Sequence, residues 1–98
     1  MLKNFKTYHM AVELYEECER LKIPHFLKTQ LLRASSSVVL NLAEGSTKSS
    51  VKDRRKFYSY SLGSLREVQA ILYLKKITYL ADKLDHLGAC LYKLSHLN

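Results

Sequence analysis

The sequence predicts an all-α protein, an antiparallel up-down-up-down four-helix bundle in one domain spanning residues 1–98. Three observations carry this. Apolar residues recur at three- and four-residue steps in four separate stretches. The whole chain has one Pro and three Gly, too few turn formers for an all-β fold, which needs them every 8–12 positions or so. The segments between the stretches are short, and short loops make consecutive helices run against one another. A chain of 98 residues buries only roughly 60–70% of its unfolded surface, so the core is modest.

The first helix is expected over about 5–22. Tyr8, Ala11, Tyr15, Cys18 and Leu21 form its apolar stripe, with Glu13, Glu16, Glu17 and Arg20 on the other side. Ile23-Pro24 ends it, because the residue before proline is driven out of helical geometry. The second helix is expected over about 25–44. It carries one stripe of Leu27, Leu31, Ala34, Val38 and Leu42 and a second, polar one of Gln30, Arg33, Ser37, Asn41 and Glu44. Gly45 reads as the residue after the helix, closing it in a left-handed conformation.

Residues 46–50, all polar, form the one clear loop, and Ser50 is placed to cap the next helix, with Asp53 in its first turn. The third helix is expected over about 51–77, with Phe57, Ser61, Leu65, Val68 and Leu72 inward and Tyr58 beside them. The fourth is expected over about 81–97. Its Leu80, Leu84, Leu87, Leu91 and Leu94 alternate four- and three-residue steps, which is heptad spacing. Ala34, Ser35, Ser36, Ser37, Ala43, Ser61, Gly63 and Ser64 are small for helix interiors and predict close packing of the second helix on the third.

Sixteen Lys and Arg against nine Asp and Glu give a net charge of +7, a balance that favours anionic partners, nucleic acid or an acidic membrane surface. No stretch approaches the 18 or so apolar residues of a membrane span, and no basic amphipathic helix shows an exposed Trp or Phe for lying on one. The opening Met-Leu-Lys-Asn-Phe-Lys lacks the apolar run of an export signal, and Cys18 and Cys90 stand far apart without a CxxC. Both thiols are therefore expected to be reduced and buried, in the cytoplasm.

Arg33-Ala34, the run Ser37-Val38-Val39-Leu40-Asn41-Leu42-Ala43-Glu44-Gly45, and Leu62-Gly63-Ser64-Leu65-Arg66-Glu67 together resemble the bacterial four helix bundle protein family. That family was first noticed as reading frames in intervening sequences of 23S ribosomal RNA genes. Its pattern has Asn-Ile-Ala-Glu-Gly closing the second helix and Gly-Ser-Leu-x-Glu within the third. Residues 8–14 look like its first helix and residues 84–88 like its fourth. The chain departs from the pattern at Val39, often a proline, at Ala81, often a serine cap, and in a shorter connection around Pro24. The resemblance implies a left-handed bundle assembled as a ring-like homopentamer, without a catalytic centre. One branch resembles the accessory variability determinant of diversity-generating retroelements, a basic pentamer that binds the element's reverse transcriptase and template RNA. Five such chains would carry +35, five times +7.

Asn41 and Glu44 share a helix face three residues apart. A buried Glu44 would need a cation, which Arg33, Arg54 or Arg66 can supply. Arg33, Asn41, Glu44, Ser64 and Glu67 are thus expected to form a structural polar network rather than a catalytic one. The densest positive cluster is Lys48, Lys52, Arg54, Arg55 and Lys56, the first-ranked nucleic-acid contact. On the third helix Arg55, Ser59, Arg66 and Tyr73 fall within roughly 40° of one another, so Arg66 and Tyr73 extend that candidate surface. Arginine forks suit phosphates and an aromatic ring suits base stacking. Lys3, Lys6, Lys22 and Lys28 are scattered. His86 and Cys90, four apart, make no complete metal site, and no phosphate loop or nucleophile elbow is present. No catalytic residue, metal or cofactor is expected. The partners expected are further copies of the chain, RNA or an RNA/DNA hybrid, and a reverse transcriptase, but no membrane; the alternative is a free-standing family member that acts as a protein-interaction scaffold without a nucleic-acid role.

Overall fold

Among the described residues the chain forms four helices: α1 (Phe5–Arg20), α2 (His25–Ser46), α3 (Val51–Leu74) and α4 (Ala81–Ser95). The computed structural model describes residues 5–98, apart from the side chain of Phe5; residues 1–4, Lys3 among them, lie outside the described residues. The 24 residues of α3 account for the long axis of a body 40 × 22 × 18 Å across, since a helix advances about 1.5 Å per residue.

The helices start where the sequence places them, and the C-terminal ends of the first three differ for an identifiable reason. α1 stops at Arg20 rather than near Lys22, and its last carbonyls are taken by a side chain from α2. The Lys28 ammonium donates to Glu19 O at 2.7 Å and also to Leu21 O. Lys28 is thus a helix cap rather than a scattered surface charge. α2 runs through Gly45 to Ser46, so the expected left-handed closure at Gly45 does not occur; no glycine among the described residues has positive φ. The helix is instead closed by hydroxyls, Ser46 Oγ donating to Ala43 O and Thr47 Oγ1 to Glu44 O, each at 2.7 Å. Gly45 is needed for space: a Cβ there would lie 2.8 Å from Tyr58 Cε1.

α3 opens on Ser50, whose hydroxyl accepts the Asp53 amide at 3.1 Å. It ends at Leu74, three residues before the expected limit, because Lys76 adopts φ 56°. Ile77 N–H then reaches Leu72 O at 2.9 Å and Lys76 N–H reaches Tyr73 O at 3.0 Å, the paired bonds of a Schellman closure. α4 ends at Ser95, two residues early.

The core takes Ala11, Leu14 and Cys18 from α1, Leu31, Ala34, Val38 and Leu42 from α2, Tyr58, Leu65, Val68, Ile71 and Leu72 from α3, and Leu84, Leu87 and Leu91 from α4, with Leu80 just before it. Two stripes depart from their expected setting near one end, while Ala11 and Cys18 on α1 and Ser61, Leu65, Val68 and Leu72 on α3 face inward as expected. Leu14 is buried while Tyr8 and Tyr15 are half-buried, and Tyr58 is buried while Phe57 is only half-buried. An aliphatic Leu14 leaves no hydroxyl to satisfy, whereas either tyrosine on α1 would. Cys90 is likewise half-buried, not buried.

α2 and α3 share the most extensive interface of the bundle. Ser61 is fully buried and donates to Val38 O at 2.7 Å, and Ser37 and Ser64 hydroxyls meet at 2.7 Å. These bonds replace the water each hydroxyl loses on burial. Gly63 does not belong to this seam; it is exposed, with nothing within 4 Å of where a Cβ would stand.

Candidate nucleic-acid interface

The last turn of α2, the loop after it and the first two turns of α3 gather the five expected cations at one end of the bundle. Their roles differ. Arg54 Nη1 donates to Lys48 O at 3.0 Å and Ser49 O at 2.9 Å, so it pins the α2–α3 loop. Arg55 Nη1 donates to Leu97 O at 3.1 Å and ties α3 to the chain just beyond α4. Backbone carbonyls fix the position of both guanidiniums.

The lysines are differently placed. Lys48 Nζ lies 2.7 Å from a Glu44 carboxylate oxygen and 5.1 Å from the centre of the Phe57 ring. Lys56 Nζ lies 5.3 Å from the same centre. The ring face attracts both ammoniums, and Tyr60 meets Phe57 edge-on at 5.7 Å. Phe57 therefore serves as the platform under two lysines, which explains why it stands outside the core. Lys52 is exposed on the adjacent turn. The result is a surface of fixed arginines and accessible ammoniums, tempered by Glu44 and Asp53.

The other two candidates on α3 lie apart from this cluster. Arg66 is exposed and donates to Gln69 Oε1 at 2.8 Å. It stands ten residues beyond Lys56, about 15 Å along the helix. Tyr73 is 84% exposed and lines an apolar groove of about 520 Å³ with Leu72, Ile77 and Leu84, near the far end of α3. The two share a direction with Arg55 but not a site.

The polar network is narrower than expected. Asn41 Nδ2 donates to Ser37 O at 3.0 Å and Ser37 Oγ at 2.9 Å, and Ser37 meets Ser64. Arg33 and Glu67 are exposed and outside it. Glu44 is also exposed, so the expectation of a buried carboxylate held by Arg33, Arg54 or Arg66 is corrected: its partner is Lys48, one turn on. The α2 terminus is open to water at this end, where an i,i+4 pair is worth only about 0.3–0.5 kcal/mol.

Burial pushes the Cys18 thiol up to about 11, against a weaker opposing pull from the Ser35 hydroxyl, so no thiolate forms there at neutral pH. Among the described residues no three His, Cys, Asp or Glu side chains converge as metal ligands, and no helix is long and apolar enough to cross a membrane. One surface feature passed over in the sequence is the Tyr92–His96 pair. Its rings stack at 3.9 Å, and the i,i+4 spacing of two aromatic side chains on a helix was the available signal.

Comparison with curated proteins and with solved structures gave no match. Comparison with protein-family models gave one, over residues 3–97, which takes in all four helices and the whole basic end. The chain belongs to the 23S rRNA-intervening sequence protein family.

Proposed function

We propose that the protein is a non-enzymatic, cytoplasmic RNA-binding accessory protein. In this reading the four helices alternate up and down, and the bundle works as a ring-like homopentamer that holds template RNA for the reverse transcriptase of a diversity-generating retroelement. The observation that carries the reading is the collection of Lys48, Lys52, Arg54, Arg55 and Lys56 at one end of a chain of net charge +7. Opposite-order contacts support the alternating arrangement: Gly45 meets Tyr58, Val38 meets Ser61 and Ser37 meets Ser64. Assembly is supported by an unpartnered apolar groove of about 250 Å³ between α1 and α2, formed by Val12, Tyr15, Val39 and Leu40.

A second reading is a protein-interaction scaffold without a nucleic-acid role. It is favoured by the internal use of Lys48, Arg54 and Arg55, each of which already has a partner within the chain. Those internal bonds also decide the test. Charge removal at Arg54 or Arg55 would disturb the loop or the α4 end, so Lys52→Ala with Lys56→Ala is the cleaner variant. Binding of a structured RNA is measured across a salt series. The parent is expected to bind with affinity that falls steeply with salt, and the double variant to lose about 2 from the slope of log K against log salt, one for each phosphate contact. A parent that does not bind at low salt leaves the scaffold as the function.

A further inference from the structure

We propose that Tyr92 and His96 form a base-stacking platform for unpaired nucleotides of RNA, placed beside the basic end of the bundle. This inference rests on the RNA-binding reading above and names the form of RNA that the site takes.

The pair is exposed: Tyr92 is 55% exposed, and His96 is exposed at the C-cap of α4. Its rings lie 3.9 Å apart with an interplanar angle of 25°, a stacked arrangement. It is also held in place. His96 Nδ1 lies 2.8 Å from Tyr92 O, and Ser95 Oγ lies 2.8 Å from the same oxygen and 3.0 Å from Nδ1. A carbonyl only accepts, so Nδ1 carries the proton and donates it. Ser95 is itself buried, which anchors this arrangement to the bundle.

An exposed aromatic pair held in one geometry has already lost the freedom that a base would otherwise have to freeze out on binding. The platform also joins the cations. Arg55 Nη1 donates to Leu97 O, one residue past His96, so a guanidinium is fixed at the same end of α4. A ring stack for the base and a cationic surface for the phosphates is the combination that single-stranded nucleic acid requires. A duplex keeps its bases stacked inside and engages only the cations. The alternative is a helix-stabilising i,i+4 ring contact and nothing more. That role would change stability without discriminating single strands from duplex.

The test compares a fluorescein-labelled oligouridylate of about twelve nucleotides with a blunt RNA duplex of equal length. Both are titrated by anisotropy with the full-length parent, Tyr92→Ala, Tyr92→Phe, and the Lys52→Ala/Lys56→Ala variant. Far-UV circular dichroism confirms helical content. Tyr92→Ala is expected to weaken single-strand binding by about tenfold, in the range of one stacked base, and to leave duplex binding within about twofold. Tyr92→Phe keeps the ring and is expected to bind like the parent. Equal single-strand affinity in Tyr92→Ala and parent overturns the platform, and the RNA-binding reading survives if the lysine variant still weakens both probes. A parent that binds neither probe overturns both.

Discussion

Gly45 and Gly63 show how much the surroundings of one residue type decide its effect. Both are helical, and glycine in a helix interior costs about 1 kcal/mol relative to alanine. At Gly63 nothing opposes recovery of that energy, because no atom lies within 4 Å of the added Cβ. At Gly45 the same methyl would stand 2.8 Å and 3.0 Å from carbons of the buried Tyr58 ring and 3.1 Å from Phe57 Cβ. Tyr58 is fully buried and cannot swing away, so the substitution overpacks the α2–α3 seam. Gly63→Ala is expected to raise stability by up to about 1 kcal/mol. Gly45→Ala is expected to lower it by about 1–3 kcal/mol despite the better propensity of alanine. Urea unfolding at one fixed protein concentration checks the pair. Equal or reversed effects would mean that the close approach at Gly45 is not a constraint.

At the scale of the element, the end of α3 is the clearest departure from expectation. Lys76 occupies the left-handed position of a Schellman closure, where glycine is the usual residue. A side chain with a Cβ costs roughly 1–2 kcal/mol in that conformation. Lys76→Gly is therefore expected to stabilise the fold by about 0.5–1 kcal/mol, after the greater freedom of glycine in the unfolded chain is set against the relief. A lower thermal midpoint for the variant would count against it. The same helix shows what periodicity can and cannot reveal. Leu65, Val68 and Leu72 were legible as a core stripe, as were Leu31, Val38 and Leu42 on α2, because apolar spacing alone fixes the inward face. The choice between Phe57 and Tyr58 was not, since adjacent aromatics score alike and only the tertiary partners, Lys48 and Lys56 around one ring, separate them. Helix ends were misjudged for a related reason. The cap of α1 comes from Lys28, seven to nine residues away, and no local signal announces it. In the candidate site the five cations were legible as a cluster, but the internal bonds of Arg54 and Arg55 depend on loop and α4 geometry.

For the whole molecule the controlling quantity is charge against apolar surface. Chains of net charge +7 repel one another, so association has to come from apolar contact. The α1–α2 groove supplies such a surface, and Leu40 is its most protruding member, 65% exposed beside Val12, Tyr15 and Val39. Leu40 points away from the bundle's own core, so its replacement leaves the fold intact. A carboxylate placed there is buried against apolar side chains if the groove is a subunit contact, at a cost of several kcal/mol, and is simply solvated if it is not. Leu40→Glu is therefore expected to break the assembly while keeping the circular dichroism of the parent. Light scattering reads the result directly: the proposed pentamer predicts about 57 kDa for the parent, five times 11.4 kDa, and 11.4 kDa for the variant. Repulsion between copies also predicts that added salt strengthens the proposed assembly, the opposite of the effect expected on the proposed RNA binding. A variant that keeps the parent mass places the contact on another face. A parent that scatters as a single chain at all salt concentrations removes the ring, and the basic end would then have to hold RNA with the cations of one bundle alone.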